Sequence, residues 1–524
     1  MLVAVVDPLL VDQAVLHVED DHALPLEVIS VALGGSLQQR NSVLFVRDDV
    51  VKLQALRPPK GLSAPPEELE DLLRSAIDAA KDVAADVVQR RVGRVERGGL
   101  RVVGSDRIEV APDELGGRIT TLLHVEQATL YEGASSMPKP YVNFSEDEFL
   151  QRQERVRREL AARDLDGLLI SRIEDQHWLC GLDTDGFVIF HIMFIGTGGE
   201  LTHVTRTADL ASIDYSSLSD DVRVWEDAQG NPKSKAIKEM LESHGMAGKR
   251  VGIQLDTFGL LPALHLELRE ALDGWCELVD ASDLVRLMRL VKSPAELEHH
   301  RQAGRVLDHA CARAIELTAP GADEGHVLAE VYRVIWEEGA DIPANRMPMG
   351  HGDKAMNVRY VTGRGSIGEN DQVTFEMGDA WRHYHVADMF TVLTGPKIDP
   401  RHLKMHEACV EALDSVQAAL RPGRTLGEVF EAHRATLAAH GFEHAILKAC
   451  GYTMGATFPP TWMEQPMIYR DNPLALEPNM VFFTHMILSD QKAGLIMSLG
   501  KTSIVTNGAP EVITHVPREA IIRR

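Results

Sequence analysis

Hydrophobic and polar positions fall into a clear pattern from about residue 143 onward. Within FLQRQERVRRELAARDL, Phe149, Val156 and Leu160 recur at helical spacing and predict an amphipathic helix. Ser145-Glu-Asp-Glu148, directly before it, reads as a capping box, with the Ser145 hydroxyl taking one orphan N–H and Glu148 reaching back to the Ser145 amide. Short apolar runs at Gly167–Ile170, Phe187–Phe194, Leu201–Val204 and Val251–Leu255 then alternate with helical stretches at Lys235–His244 and Leu261–Leu272. That alternation predicts an α/β domain over 137–286.

A second pattern fills 287–524 and contains a repeat. CARAIELTAPGADEGHVLAEVYRVIWEEGAD carries Pro320-Gly321, a helix and a stop at Gly339; LDSVQAALRPGRTLGEVFEAHRATLAAHGF carries Pro422-Gly423, a helix and a stop at Gly441. Both landmarks are offset by 102 residues, so one helix–turn–helix unit with strand-like segments after it occurs twice.

Residues 1–136 follow neither pattern. Phe45 is the only aromatic residue before Tyr131, and Pro-Pro pairs at 58–59 and 65–66 interrupt the apolar positions. One helix is predicted, from Pro66 to about Gln89. Few aromatics leave little apolar surface to offset the entropy of ordering. The segment reads as a small accessory domain, as a poorly ordered extension, or as the product of a start assigned too early, because Met137 opens a segment able to make a complete protein alone.

Composition narrows the partners. A formal charge of −24 argues against nucleic acid and anionic membranes, which require a positive surface. Five scattered cysteines, none in CxxC spacing, read as reduced thiols and not as a disulfide framework or zinc site. The first residues lack the positive region of a signal peptide, and no uncharged stretch reaches the roughly 18–20 residues of a membrane helix, so the expectation is a cytoplasmic protein.

Several motifs in order resemble the creatinase/aminopeptidase P family. They are Arg289-Leu-Val-Lys292-Ser293-Pro294-Ala-Glu296 with Arg301 and Ala303, Gly167-Leu-Leu-Ile, the doubled Pro-Gly unit, Leu476-Glu-Pro-Asn-Met-Val481 and Ile504-Val-Thr506. The resemblance implies an α/β N-terminal domain followed by an α+β pita-bread domain with an internal pseudo-twofold repeat, usually in a homodimer. It covers about Asn143 to Arg524.

Metallopeptidases of this family hold two divalent metals with two Asp, one His and two Glu, a donor set suited to hard or borderline ions. Alignment on the family motifs puts Glu376, Ala387, Tyr452, His485 and Gly500 at those positions. Asp388 adjoins Ala387, but a one-residue shift along a strand points a side chain to the other face. The expectation is therefore no metal cofactor.

The local text resembles the metal-free ectoine-hydrolase branch. Phe375-Glu376-Met-Gly378 followed by Arg382-His383-Tyr384-His385 is similar to its Glu-Leu-x-Gly and Arg-Arg-Tyr-His, and Gly451-Tyr452-Thr-Met-Gly455 with Pro459-Pro460-Thr-Trp462 to its Gly-Tyr-Ser-x-Gly and Pro-Pro-x-Trp. The resemblance implies hydrolysis of a C–N bond in a small amidine or amide, with Glu376 as base or nucleophile. His385 or His351 could shuttle the proton. Arg382 could pair with a substrate carboxylate, and Tyr384, Tyr452 and Trp462 could wall a cationic substrate beside His485. Plainer roles stay open: a salt-bridged Glu376, a surface pair of His383 and His385 sharing a strand face, packing for Trp462, and a turn at His351. Asn357 stands where creatinase has a catalytic His, and Asn is no acid or base near neutral pH. Two other functions also stay open, a metal-dependent Xaa-Pro aminopeptidase or dipeptidase and a non-catalytic member that binds a ligand.

Overall fold

A computed structural model describes residues 141–219, 221–360 and 365–524, together with six strands of the chain before them. The chain divides into two compact units, residues 1–138 and 139–524. In the first, β1 (Leu2–Val5), β2 (Glu27–Val31), β3 (Ser42–Arg47), β4 (Val50–Ala55), β5 (Ile108–Ala111) and β6 (Leu122–Val125) form a sheet in the order β1-β2-β3-β4-β6-β5. The helix predicted from Pro66 to Gln89 lies outside the described residues.

The second unit opens with the helix Glu146–Ala162, which buries Phe149, Val156 and Leu160 as their spacing predicts. Only half of the capping box forms. Ser145 Oγ accepts from the Glu148 amide at 3.3 Å, but the Glu148 carboxylate accepts from Arg152 and from Ser293 Oγ, each at 2.6 Å. A charge-assisted bond to a guanidinium outcompetes one to a neutral amide. Complete capping boxes form instead at Ser293 with Glu296, at the start of the helix Pro294–Leu317, and at Thr425 with Glu428, before the helix Leu426–Ala439.

β7 (Gly167–Ile170), β8 (Ile192–Gly196), β9 (Leu201–Thr205), β10 (Asp221–Val224), β11 (Arg250–Ile253) and β12 (Glu277–Asp280) make a mixed sheet in the order β10-β9-β8-β7-β11-β12. The apolar run Phe187–Phe194 yields a strand only from Ile192. The Thr184 hydroxyl accepts from the Gly186 amide at 3.0 Å and a 3-10 turn takes Gly186–Val188.

The repeat appears as two helix pairs. Pro294–Leu317 with Glu324–Glu337 matches Pro400–Ala419 with Leu426–Ala439, and the second helices of the pairs keep the 102-residue offset. Gly321 and Gly423 take φ of 83° and 82°, and Gly339 and Gly441 take 79° and 80°. Those left-handed conformations are why glycine stands at all four turns.

Both pairs pack on one sheet of β13 (Met349–His351), β14 (Gln372–Trp381), β15 (Tyr384–Thr394), β16 (Ala449–Thr453), β17 (Glu464–Tyr469), β18 (Val481–Asp490) and β19 (Leu495–Ile504), ordered β13-β14-β15-β19-β18-β16-β17, with two short strands at its margin. One core joins Val306, Val331 and Phe375; the other joins Leu413, Phe430 and Met486. This α/β domain followed by a pita-bread sheet is the expected fold. Among the described residues no helix is long and apolar enough to cross a membrane.

Candidate active site

Cross-strand pairing sets the site. Glu376 on β14 lies opposite Met389 on β15, Met389 opposite Gly500 on β19, and Gly500 opposite His485 on β18. Directly paired residues point to the same face, so these four form one row across the sheet. Ala387, two residues from Met389, shares that face, as does Tyr452 through its pairing with Phe483.

Asp388 points to the opposite face, as the register argument requires. Its Oδ2 accepts from Lys501 Nζ at 2.6 Å, and both side chains are buried. Burial raises the Asp388 carboxyl to about 6 against the opposing pull of Lys501. This pair stitches two strands together under the site.

Above the row lies a narrow cleft of about 20 Å³. Glu376 lines it among Phe375, Met389, Ile487 and Ile496, with Asn357 and Val358 at its rim. The carboxyl is held from one side: Trp462 Nε1 donates to Tyr452 Oη at 2.9 Å, and Tyr452 Oη donates to Glu376 Oε1 at 3.0 Å. Gly378 makes room for this arrangement, since a Cβ there would lie 3.2 Å from the Trp462 ring. The indole is fixed in turn by Asn345, whose Oδ1 accepts from the Trp462 amide at 2.9 Å.

Desolvation raises the Glu376 carboxyl to about 7, against smaller downward pulls from Tyr452 and Arg359. A carboxyl near 7 in an apolar cleft is divided between acid and base at neutral pH. The buried Tyr452 hydroxyl is pushed well above its usual value, chiefly by desolvation and also by the Glu376 charge, so it stays a donor. Burial, together with the charges of His433 and Arg359, brings His485 down to about 3, a neutral imidazole.

The donor set does not fit a metal pair. Ala387 and Gly500 offer no donor atom, and Tyr452 is committed between Trp462 and Glu376. A Cβ at Gly500 would already lie 2.8 Å from the Phe483 ring and 3.0 Å from Met389 Cβ, so the space of the fifth ligand, a carboxylate, is filled. No group of three or more His, Cys, Asp or Glu among the described residues could hold an ion.

The remaining residues singled out in the sequence lie elsewhere. Tyr384 donates to Glu296 Oε1 at 2.8 Å inside an aromatic cluster with Phe144 and His299. His385 is buried, with Nε2 accepting from the Ala344 amide at 2.9 Å and Nδ1 facing Thr457 Oγ1 at 2.9 Å; desolvation takes it to about 3. His351 sits between Asp371 at 3.0 Å and Glu324 at 3.4 Å. Arg382 packs over the Tyr141 ring at 5.2 Å. None of these four lines the cleft.

Two differences have a clear physical cause. Arg382 and His383 do not lie on a strand but form the two-residue turn between β14 and β15, with φ of 54° and 66°, as the twist of a tight hairpin demands. His383 therefore shares no strand face with His385; it pairs with Asp183 at 3.0 Å and stacks on Phe458. Tyr452 and Trp462, expected as cation-binding walls, are each only 1% exposed, so they hold the carboxyl instead of presenting open ring faces. Sequence reasoning passed over Asn345, which no motif marked and whose hydrogen bond to the Trp462 amide anchors the far end of the Glu376–Tyr452–Trp462 chain.

Residues 298–507 match the family described as Metallopeptidase family M24, and residues 152–291 match the Creatinase/Prolidase N-terminal domain. An uncharacterized hydrolase/peptidase, y4tM of Sinorhizobium fredii, is 27% identical over 395 residues, covering 73% of this chain and 99% of its own. The ectoine hydrolase of Halomonas elongata is 25% identical over 398 residues, covering 72% and 98% respectively. The crystal structure of dipeptidase PepE from Mycobacterium ulcerans superposes with a TM-score of 0.64 at 24% identity, over 72% of this chain and 99% of that one, a likeness of fold.

Proposed function

This chain belongs to the M24 metallopeptidase family, with a creatinase-type N-terminal domain, and within that family we propose that it is a metal-independent hydrolase of a C–N bond in a small amidine or amide. Its broad class is that of the family's C–N bond hydrolases. The observation that carries the finer reading is Glu376, a carboxyl near 7 that lines the cleft and is held by Tyr452.

Glu376 acts as the nucleophile. Tyr452 fixes Oε1, while Oε2 has no hydrogen bond among the described residues and attacks the substrate carbon. The carbon–nitrogen bond breaks as the leaving nitrogen takes a proton from solvent, leaving Glu376 joined to the substrate carbon as an anhydride (from an amide) or an O-acyl imidate (from an amidine); water then adds to that carbon, the bond to Glu376 breaks to return the carboxylate, and one proton goes back to solvent. Across the cycle one water adds to the C–N bond, oxygen to carbon and hydrogen to nitrogen. The apolar lining favours attack, because a poorly solvated carboxylate sheds little water to react.

Assay of the full chain with ectoine and with the dipeptide Gly-Pro tests this reading. Cleavage of the amidine that disappears in Glu376→Gln supports it. Cleavage unaffected by that substitution sinks it.

A further inference from the structure

Apart from the narrow Glu376 cleft, a pocket of about 430 Å³ opens between the α/β domain and the pita-bread domain. Its wall on the α/β side comes from the segments that follow β7, β11 and β12, carrying Arg172, residues 255–258 and Arg286. Those three strands run parallel, so their carboxyl ends lie side by side. In α/β sheets that end is where small molecules bind, because the loops there enclose a crevice. The other wall comes from residues 457–467 and carries Glu464.

Charge is divided across the pocket. At one pole Arg172 donates to the Asp256 carbonyl, and Arg286 donates to Asp256 Oδ2 at 2.8 Å. Two guanidiniums thus share one carboxylate, itself exposed, and a positive charge is left over. At the other pole Arg289 lies 2.9 Å from Asp175 and 2.7 Å from Glu464, with Lys292 buried nearby. Glu464 is only 7% exposed, and no hydrogen bond holds its Oε2 among the described residues. Glu174 adds a third carboxylate, which accepts from the Phe458 amide at 3.3 Å and pairs with no arginine or lysine among the described residues. Three carboxylates against two cations leave a negative charge over. Desolvation raises the Glu174 carboxyl against the pull of Arg289, so an ammonium there restores what burial removes. The lining also holds Leu255 and Phe258, apolar yet exposed, together with Met463 and Met467. Open apolar surface beside charges of both signs fits a ligand that carries all three features.

We propose that this pocket binds a free α-amino acid with an apolar side chain, its carboxylate on Arg172 and Arg286 and its ammonium on Glu174 and Glu464. The site is distinct from the Glu376 cleft and stands whether or not Glu376 is the nucleophile. A neutral or singly charged molecule leaves one pole unanswered, and a polyanion meets three carboxylates. Thr461 and Met463 flank Trp462, so a bound amino acid touches the same segment that positions Tyr452.

Calorimetric titration of the full chain tests the assignment. The probes are leucine, leucinamide (no carboxylate), isocaproate (no ammonium) and glycine (no side chain). Leucine should bind about tenfold or more tightly than each of the others. Arg286→Ala should close the gap between leucine and leucinamide while keeping the gap to isocaproate, and Glu174→Gln should do the reverse. That crossed pattern cannot come from a misfolded variant, which loses every ligand alike. Glu376→Gln should bind leucine as the wild type does. No leucine binding up to about 10 mM, or equal binding of leucine and any of the three analogues, overturns the proposal. Variants that keep their circular dichroism and leave both gaps open overturn it too, as does loss of binding in Glu376→Gln, which would seat the ligand in the cleft.

Discussion

Tyr452 Oη donates to Oε1 of Glu376 across 3.0 Å, so a phenol holds one oxygen of the buried carboxyl. The bond stabilises the charged carboxylate and so opposes the desolvation that lifts Glu376 to about 7. If Glu376 is the nucleophile proposed above, Tyr452 thereby sets the pH at which it becomes available.

Tyr452→Phe removes that opposition. The Glu376 carboxyl then rises further, and the acid limb of kcat/KM, expected to climb through about 7 in the wild type, should move up in pH. A single hydrogen bond corresponds to a shift of about one unit. A pH–rate profile in which the variant loses activity equally at every pH contradicts this role.

The same carboxyl costs stability. Its folded value of about 7 exceeds the usual 4.5, so the stabilisation from its protonated form is complete below about 4.5 and is lost as pH rises through 7. Glu376→Gln should match the wild type in urea unfolding at pH 4.5 and exceed it at pH 8 by up to about 3 kcal/mol. An unchanged difference between the two pH values would mean that Glu376 is well solvated.

Asp379 gives a parallel case on the other face of β14. It is fully buried, neither oxygen has a hydrogen-bond partner among the described residues, and desolvation aided by Asp341, Asp308 and Glu338 drives its carboxyl well above 3.8. The sign is the same: stability is complete below 3.8 and declines as pH rises until the folded value is passed. Relative to Asp379→Asn, the wild type should lose about 1.4 kcal/mol per pH unit over that window, read from denaturation midpoints. Parallel stability curves for the two proteins count against it.

Gly500→Glu restores a family ligand on paper but meets the Phe483 ring at 2.8 Å. Overpacking of this kind costs about 1–3 kcal/mol. The expected outcome is a lowered melting temperature that added Mn²⁺ does not recover; recovery by the ion would show that Phe483 yields and a metal site can form.

Much of this was legible in the sequence because backbone rules leave few choices. The repeat could be read from Pro320-Gly321 and Pro422-Gly423, since left-handed turns favour glycine, and Asp388 could be turned away from the site by strand parity alone. Glu376 with Tyr452 and Trp462 was named from local motifs, and the chain joins them through two hydrogen bonds. The destinations of Tyr384, His385, His351 and Arg382 were not legible. Each is decided by a partner far along the chain: Glu296 for Tyr384, Ala344 for His385, Glu324 for His351 and Tyr141 for Arg382.

The central claim is catalysis by Glu376 without a metal, and the most direct test is the metal content of the full chain during turnover. Elemental analysis of protein dialysed against chelator, assayed in the same buffer with ectoine, should find far less than one metal per chain and undiminished cleavage. About two metals per chain, with activity lost to the chelator and restored by Mn²⁺ or Co²⁺, would contradict it.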